Sequence, residues 1–156
     1  MSVSPIPSGY HAVTPYLVIS GADAAIEFYK AAFGATEALR LNGAGGKVAH
    51  AEIEIGDSRL MLADEWPDMG IVGPDPQRRT PVGFCLYVSD VDAVFDRAVQ
   101  LGATVDRPVA VQFYGDRSGT VRDPYGHLWT IATHVEDVTQ EEVQRRFDAM
   151  MAEQGG

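Results

Sequence analysis

The chain has 156 residues, enough for a full core in one domain or in two small modules, and its formal net charge is -10 at pH 7. That charge argues against a nucleic-acid backbone or an anionic membrane surface as partner, since both depend on clustered lysines and arginines, and leaves a cationic or neutral small ligand as the easier one. With 46% apolar residues but no apolar run long enough to span a bilayer, no basic-then-apolar stretch at the N-terminus and a single cysteine, Cys85, the expectation is a cytoplasmic protein with no membrane partner and no internal disulfide.

Residues 1–10 carry prolines and glycine and read as an arm. Ala12 to Ile19 reads as a strand, with Pro15 confined to an edge or a bulge because it has no amide donor. After Ser20-Gly21-Ala22-Asp23, the residues Ile26, Tyr29, Ala32 and Phe33 share one helical face, and Gly34 ends the helix. Glu37 to Leu41 has a weaker strand pattern. Beyond the turn Asn42-Gly43-Ala44-Gly45-Gly46, alternation over Lys47 to Ile55 predicts a strand with Val48, His50, Glu52 and Glu54 on one face and Ala49, Ala51, Ile53 and Ile55 on the other. Arg59 to Ala63 follows as a further strand. Residues 65–82 are rich in proline and glycine, have no sustained period, and read as a connector.

The pattern then restarts. Gly83 to Val88 reads as a strand, and a helix follows whose buried side is Val91, Val94, Phe95, Ala98, Val99 and Leu101, closed by Gly102. Val105 to Val111 and Gly119 to Arg122 read as strands around a loop from Gln112 to Arg117. The stretch RDPYGHLWTIATH, Arg122 to His134, reads as a strand end, a turn on Asp123-Pro124 and Gly126, and a last strand. A shift of 69 positions lays Leu60, Met61, Leu62 and Ala63 over Trp129, Thr130, Ile131 and Ala132, and lays Thr14 to Ser20 over Gly83 to Ser89. One register holding at both ends of a module argues for an internal duplication. The divisions are therefore a βαβββ module over residues 10–64, the connector 65–82, a second βαβββ module over 83–134, and a C-terminal helix and tail over 135–156. In that tail Thr139 and Glu142 have the spacing of a capping box, ahead of a narrow stripe of Val143, Phe147 and Met150.

A duplicated βαβββ unit carrying VTPYL, AIEFYKAAFGA, GDRSGTVRDPYGHLW and THVEDVT resembles the vicinal oxygen chelate superfamily, in its glyoxalase/bleomycin resistance and PhnB-like branch, over roughly residues 10–150. The resemblance implies an α+β fold in which the two modules form a half-open curved sheet, helices on the convex side and a ligand cavity on the concave side, often completed by a homodimer. It also implies four places for a divalent metal, one on the first and one on the last strand of each module, which here hold Thr14, Met61, Gly83 and Thr130. None is a His, Asp or Glu, so no metal cofactor is expected and metal-dependent glyoxalase or dioxygenase chemistry is disfavoured. His50 and Glu52 offer two further donors, which are too few for a metal site by themselves.

Two classes of function remain. The first is a metal-free protein that binds a small molecule, with a wall taken from strand alternation: Thr14, Tyr16, His50, Glu52, Met61, Cys85, Tyr87 and Thr130, joined by Trp66, Phe113, Tyr114 and Arg117 from loops. The plainer role of those four loop residues is to cover the edge of the core. The second is an enzyme, a lyase, isomerase or dioxygenase with displaced metal ligands, or a metal-free catalyst using His50 and Glu52 as an acid-base pair. No base is identifiable beside Cys85, and neither a nucleophile elbow nor a phosphate loop is present.

Overall fold

Pro15 decides where the first strand begins. Without an N–H it cannot donate into a ladder, so in the computed structural model, which describes residues 2–155, strand β1 covers Tyr16–Ile19 rather than starting at Ala12. Its carbonyl still accepts from the Met61 amide at 2.9 Å. After β1 come helix α1 (Ala22–Phe33) and strands β2 (Thr36–Asn42), β3 (Val48–Ile55) and β4 (Ser58–Asp64). Their sheet has the order β1-β4-β3-β2, with β1 parallel to β4 and the other pairs antiparallel. A second sheet repeats this with β5 (Gly83–Tyr87), helix α2 (Val91–Gln100), β6 (Thr104–Val111), β7 (Asp116–Arg122) and β8 (Leu128–His134), in the order β5-β8-β7-β6. Helix α3 (Gln140–Gln154) follows. The α+β class and the two βαβββ modules stand as two four-stranded sheets, and no barrel closes.

Contacts divide the chain into two compact units. The first runs to Pro81 and also takes in Pro124–His127; the second holds Val82–Asp123 and the chain from Leu128 onward. The turn between β7 and β8 therefore belongs to the first unit, where Tyr125 meets Phe28 edge-on at 6.3 Å and His127 Nε2 lies 3.3 Å from the Val18 carbonyl.

Within each unit the helix covers one sheet face. Leu17, Ile19, Ala51, Ile53 and Leu62 are buried against Ile26 and Tyr29 in the first; Ile131, Val121 and Trp129 lie with Val91, Phe95 and Ala98 in the second. The buried side of α2 is narrower than its pattern suggested, because Val99 and Leu101 at its end are exposed.

The repeat extends to how each helix is started. Gly21 sits at the head of α1 with φ of 91°, a left-handed conformation suited to glycine, and has no side chain to cap the helix. Asp64, at the end of β4 and buried, takes that role: its Oδ1 accepts from the Gly21 and Ala22 amides at 3.1 and 2.9 Å, and its Oδ2 from the Val48 amide at 2.7 Å. In the second unit Thr133, at the matching place on β8, accepts from the Val91 amide at 3.0 Å and donates to the Val88 carbonyl at 2.8 Å.

Three local expectations are corrected. A register shift sets Leu41 opposite His50 and Asn42 opposite Val48, leaving Ala49 over; this bulge buries Val48 and exposes Ala49, reversing the alternation at that end of β3. Strand β7 begins at Asp116, so Arg117 is a strand residue and not a loop residue. At the start of α3 the Thr139 hydroxyl accepts from the Glu142 amide at 3.3 Å, but the Glu142 carboxylate is taken by Arg145 and Arg146, so only half of the capping box forms. Those two guanidiniums pull the Glu142 pKa down to about 2.

Candidate functional site

The sheet face turned away from α1 carries most of the expected wall of the first module. Tyr16, Met61, Glu52 and Leu39 are cross-strand partners in one row, so their side chains share that face. His50 lies beyond them on the same side. Tyr16 Oη and His50 Nδ1 are 2.9 Å apart, and His50 Nε2 and Glu52 Oε1 are 3.2 Å apart. A carboxylate only accepts, so a neutral His50 gives its Nε2 proton to Glu52 and receives the Tyr16 hydroxyl proton at Nδ1. Tyr16, His50 and Glu52 thus form one hydrogen-bonded chain, with Tyr16 half exposed at its outer end. Arg59 approaches Glu52 at 3.8 Å and Glu54 at 3.9 Å, a loose pairing.

Beside this chain is an apolar groove of about 610 Å³, lined by Tyr16, Val18, Ala49, Ala63, Trp66, Met69 and Ile71. The bulge in β3 supplies Ala49. The connector supplies the rest of the rim: Trp66 and Ile71 exchange backbone hydrogen bonds of 2.8 and 3.1 Å across a short 3-10 turn, Pro67–Met69. Lys47 rests its ammonium 4.7 Å above the Trp66 ring and donates to the Glu65 carbonyl, which holds the indole in place. Val18 and Ala63 could have been found from the alternation that identified Tyr16 and Met61. Ala49 could not, because the bulge breaks the period, and Met69 and Ile71 lie in a stretch without any period.

In the second unit, Cys85, Thr130, Thr120 and Arg107 form the matching row, again on the face away from the helix. Cys85 corresponds to Tyr16 and Thr130 to Met61 under the shift of 69 positions, so the repeat has put a thiol and a hydroxyl where the first unit has a phenol and a thioether. Tyr87 is exposed and donates to Asp116 Oδ2 at 2.7 Å, a bond that pushes its pKa up to about 12. Cys85 is exposed as a residue, yet partial burial of the thiol first and the Asp116 charge second hold its pKa above the ordinary value, which does not suit a nucleophile.

The remaining wall residues are dispersed. Thr14 lies ahead of β1 and Gly83 begins β5 opposite Leu128. Tyr114 contacts the Phe113 ring edge-on and sits 3.4 Å from the Ser118 hydroxyl, while Phe113 also packs against Phe147 of α3. Arg117 faces α2, where Asp92 holds it through two bonds of 2.8 and 2.7 Å, on the opposite side of the sheet from Cys85 and Tyr87.

At the four places where a metal is implied, Thr14, Met61, Gly83 and Thr130 offer two hydroxyls, a thioether and no side-chain donor. Among the described residues, no three His, Cys, Asp or Glu side chains lie close enough to hold an ion. This donor set does not fit a hard divalent cation. Also among the described residues, no helix is long and apolar enough to cross a membrane.

Residues 10–131 match the family model of the Glyoxalase/Bleomycin resistance protein/Dioxygenase superfamily. The uncharacterized protein Rv0887c of Mycobacterium tuberculosis is 42% identical over 147 residues, which cover 92% of this chain and 84% of that one. Among solved structures, TioX from Micromonospora sp. ML1 is similar with a TM-score of 0.61 at 26% identity, over 80% of this chain and 99% of its own. The PhnB protein from Bacillus cereus has a TM-score of 0.64 at 18% identity over 79% of this chain and 99% of its own, a likeness of fold alone.

Proposed function

Starting from the Glyoxalase/Bleomycin resistance protein/Dioxygenase superfamily, to which this chain belongs, we propose that the protein is a PhnB-like, metal-free binder of a small molecule, acting as a homodimer in the cytoplasm. The observation that carries this reading is the open groove of about 610 Å³ with Tyr16 on its wall, from which the hydrogen-bonded chain to His50 and Glu52 leads away. An apolar slot with a few convergent polar groups suits a ligand that has a flat apolar part and one polar handle. The flat part rests between Tyr16 and Trp66, and a hydrogen-bond-donating or cationic handle reaches Glu52, whose pairing with Arg59 is loose enough to be displaced.

Aromatic amines screened by thermal shift test the reading, with the hits repeated on Glu52→Gln and on Trp66→Ala. Amines should raise the melting temperature of the native protein and lose most of that effect in both variants. A native protein indifferent to every amine, or amine binding that survives both substitutions, overturns the groove. Elemental analysis of protein purified without chelator should find no stoichiometric divalent ion; about one ion per chain would return the balance to metal chemistry.

The hydrogen bonds of 2.9 and 3.2 Å favour a second reading, in which Tyr16–His50–Glu52 moves a proton to or from the bound molecule as a metal-free acid-base catalyst. Incubating groove ligands with the protein and following them by mass spectrometry separates the two. Conversion that disappears in His50→Gln while binding persists supports catalysis, and ligands recovered unchanged support binding alone.

A further inference from the structure

We propose that Arg107 anchors a second ligand site, on the open sheet face of the second unit, which takes the carboxylate of a small organic acid.

Arg107 reaches that face through an irregularity. Register shifts flank it, between Val105 and Arg107 and between Arg107 and Ala110, and Pro108 next to it cannot donate to a ladder. The result sets Arg107 opposite Thr120, in the row that continues through Thr130 to Cys85. The guanidinium lies along the sheet. Its Nη1 donates to the Ser118 carbonyl at 3.2 Å, and its Nη2 to the Ser118 hydroxyl at 3.1 Å and the Thr120 hydroxyl at 3.4 Å.

Every one of these acceptors is neutral. With 22 acidic residues against 12 basic ones, a half-buried arginine without a carboxylate is unexpected here. Arg117, Arg145 and Arg146 of the same unit are each ion-paired at 2.7 to 2.8 Å. A guanidinium carries five N–H donors. For Arg107 the Nε proton and one Nη1 proton have no protein acceptor among the described residues.

Hydroxyl groups surround this unspent capacity. Thr120 and Thr130 share a hydrogen bond of 2.9 Å, and the Tyr114 hydroxyl is 3.4 Å from that of Ser118. Asp116 is on the same face, but it is bound by the Tyr87 hydroxyl at 2.7 Å and by His134 Nδ1 at 2.8 Å. The Asp116 charge is still felt at Cys85 on this face, which adds to the preference for an anion of single charge.

The charge also selects the anion. One guanidinium in a chain of net charge -10 suits a monoanion better than a dianion, and a planar two-oxygen group matches the guanidinium fork. Tyr87, exposed on the opposite edge strand β5, reaches back across the sheet to Asp116 of β7 and, with Cys85, offers a surface for the organic part of the acid. This site stands on its own observations, apart from the groove of the first unit.

Benzoate, benzamide and inorganic phosphate are suitable probes, titrated into the full chain by calorimetry. Benzoate should bind, benzamide and phosphate should bind more weakly or not at all, and Arg107→Gln should weaken benzoate by about ten- to a hundredfold, the usual worth of a charge-assisted pair. Arg107→Lys should recover only part of the loss, because an ammonium lacks the fork. Amide resonances of the native protein provide a readout that needs no variant: benzoate should shift those of Ser118, Thr120 and Thr130. No benzoate binding, benzoate binding unaltered in Arg107→Gln, tighter binding of phosphate, or resonance shifts confined to other residues would each overturn the proposal.

Discussion

His134 is held through both ring nitrogens, by Asp116 and by Asp137, each at 2.8 Å, and these bonds raise its pKa above the ordinary imidazole value. A pKa raised on folding contributes stability that is complete below the unfolded value, about 6.5, and is lost as pH climbs through the folded one. Native protein should therefore lose stability over that alkaline interval, and His134→Gln should show a flatter profile, as measured by urea denaturation across pH. Parallel curves for the two proteins would contradict this. Tyr87, pushed up to about 12 by its bond to the same Asp116, adds a further loss with the same sign above its unfolded value of about 10. Of this cluster only Tyr87 was legible as a wall residue, because Asp116 falls in a stretch rich in turn formers that reads as a loop. Arg107 was invisible for a related reason: alternation assigns faces only while the register is regular, and two shifts surround it.

Elements are started and joined by side chains that a period-based reading does not weigh. Asp64 links the end of β4 to the head of α1 and to the first residue of β3 through three amides, and it is buried while doing so. Removing its carboxylate strands those donors, each worth about 1 kcal/mol or more when bonded to a charged acceptor. Asp64→Ala should cost about 3 kcal/mol or more in chemical denaturation, and Thr133→Val, which loses one accepted and one donated bond, roughly 1–2 kcal/mol. Equal losses at the two positions would mean that the carboxylate has no special part in the first unit. The repeated strand order was legible because apolar pattern and turn residues recur at one offset, and so was the start of α2, which Asp90 caps by accepting from the Ala93 amide at 3.1 Å; the ties from the last strand of each module to the helix head were not, because the two copies make them with a carboxylate and a hydroxyl. Gly115, in the turn between β6 and β7, shows the same limit: a Cβ there would run into the Glu136 carbonyl oxygen, a close approach that only folding reveals.

At the scale of the whole molecule, apolar side chains lie open on the faces that the helices do not cover. Leu39 and Leu41 are 43% and 54% exposed on β2, an edge strand, and Tyr16 is 52% exposed on β1 at the opposite edge. Edge strands of soluble proteins are commonly blunted by charge, and β2 has Glu37 and Arg40; but Arg40 bonds Glu37 and Asp23 on the α1 side, which leaves the opposite side of the strand to its leucines. An apolar edge presented twice by identical chains is a self-complementary surface, and two copies related by a twofold axis would cover both at once. The proposed homodimer therefore predicts sedimentation as a dimer at micromolar concentration. It also predicts a shift toward monomer in the double variant Leu39→Lys, Leu41→Lys, with the circular dichroism spectrum retained. Because both leucines face water in the isolated chain, their replacement should not unfold it, so loss of the dimer can be read apart from loss of the fold. A native protein that sediments as a monomer throughout that range, or a double variant that remains dimeric, would remove β2 from the interface.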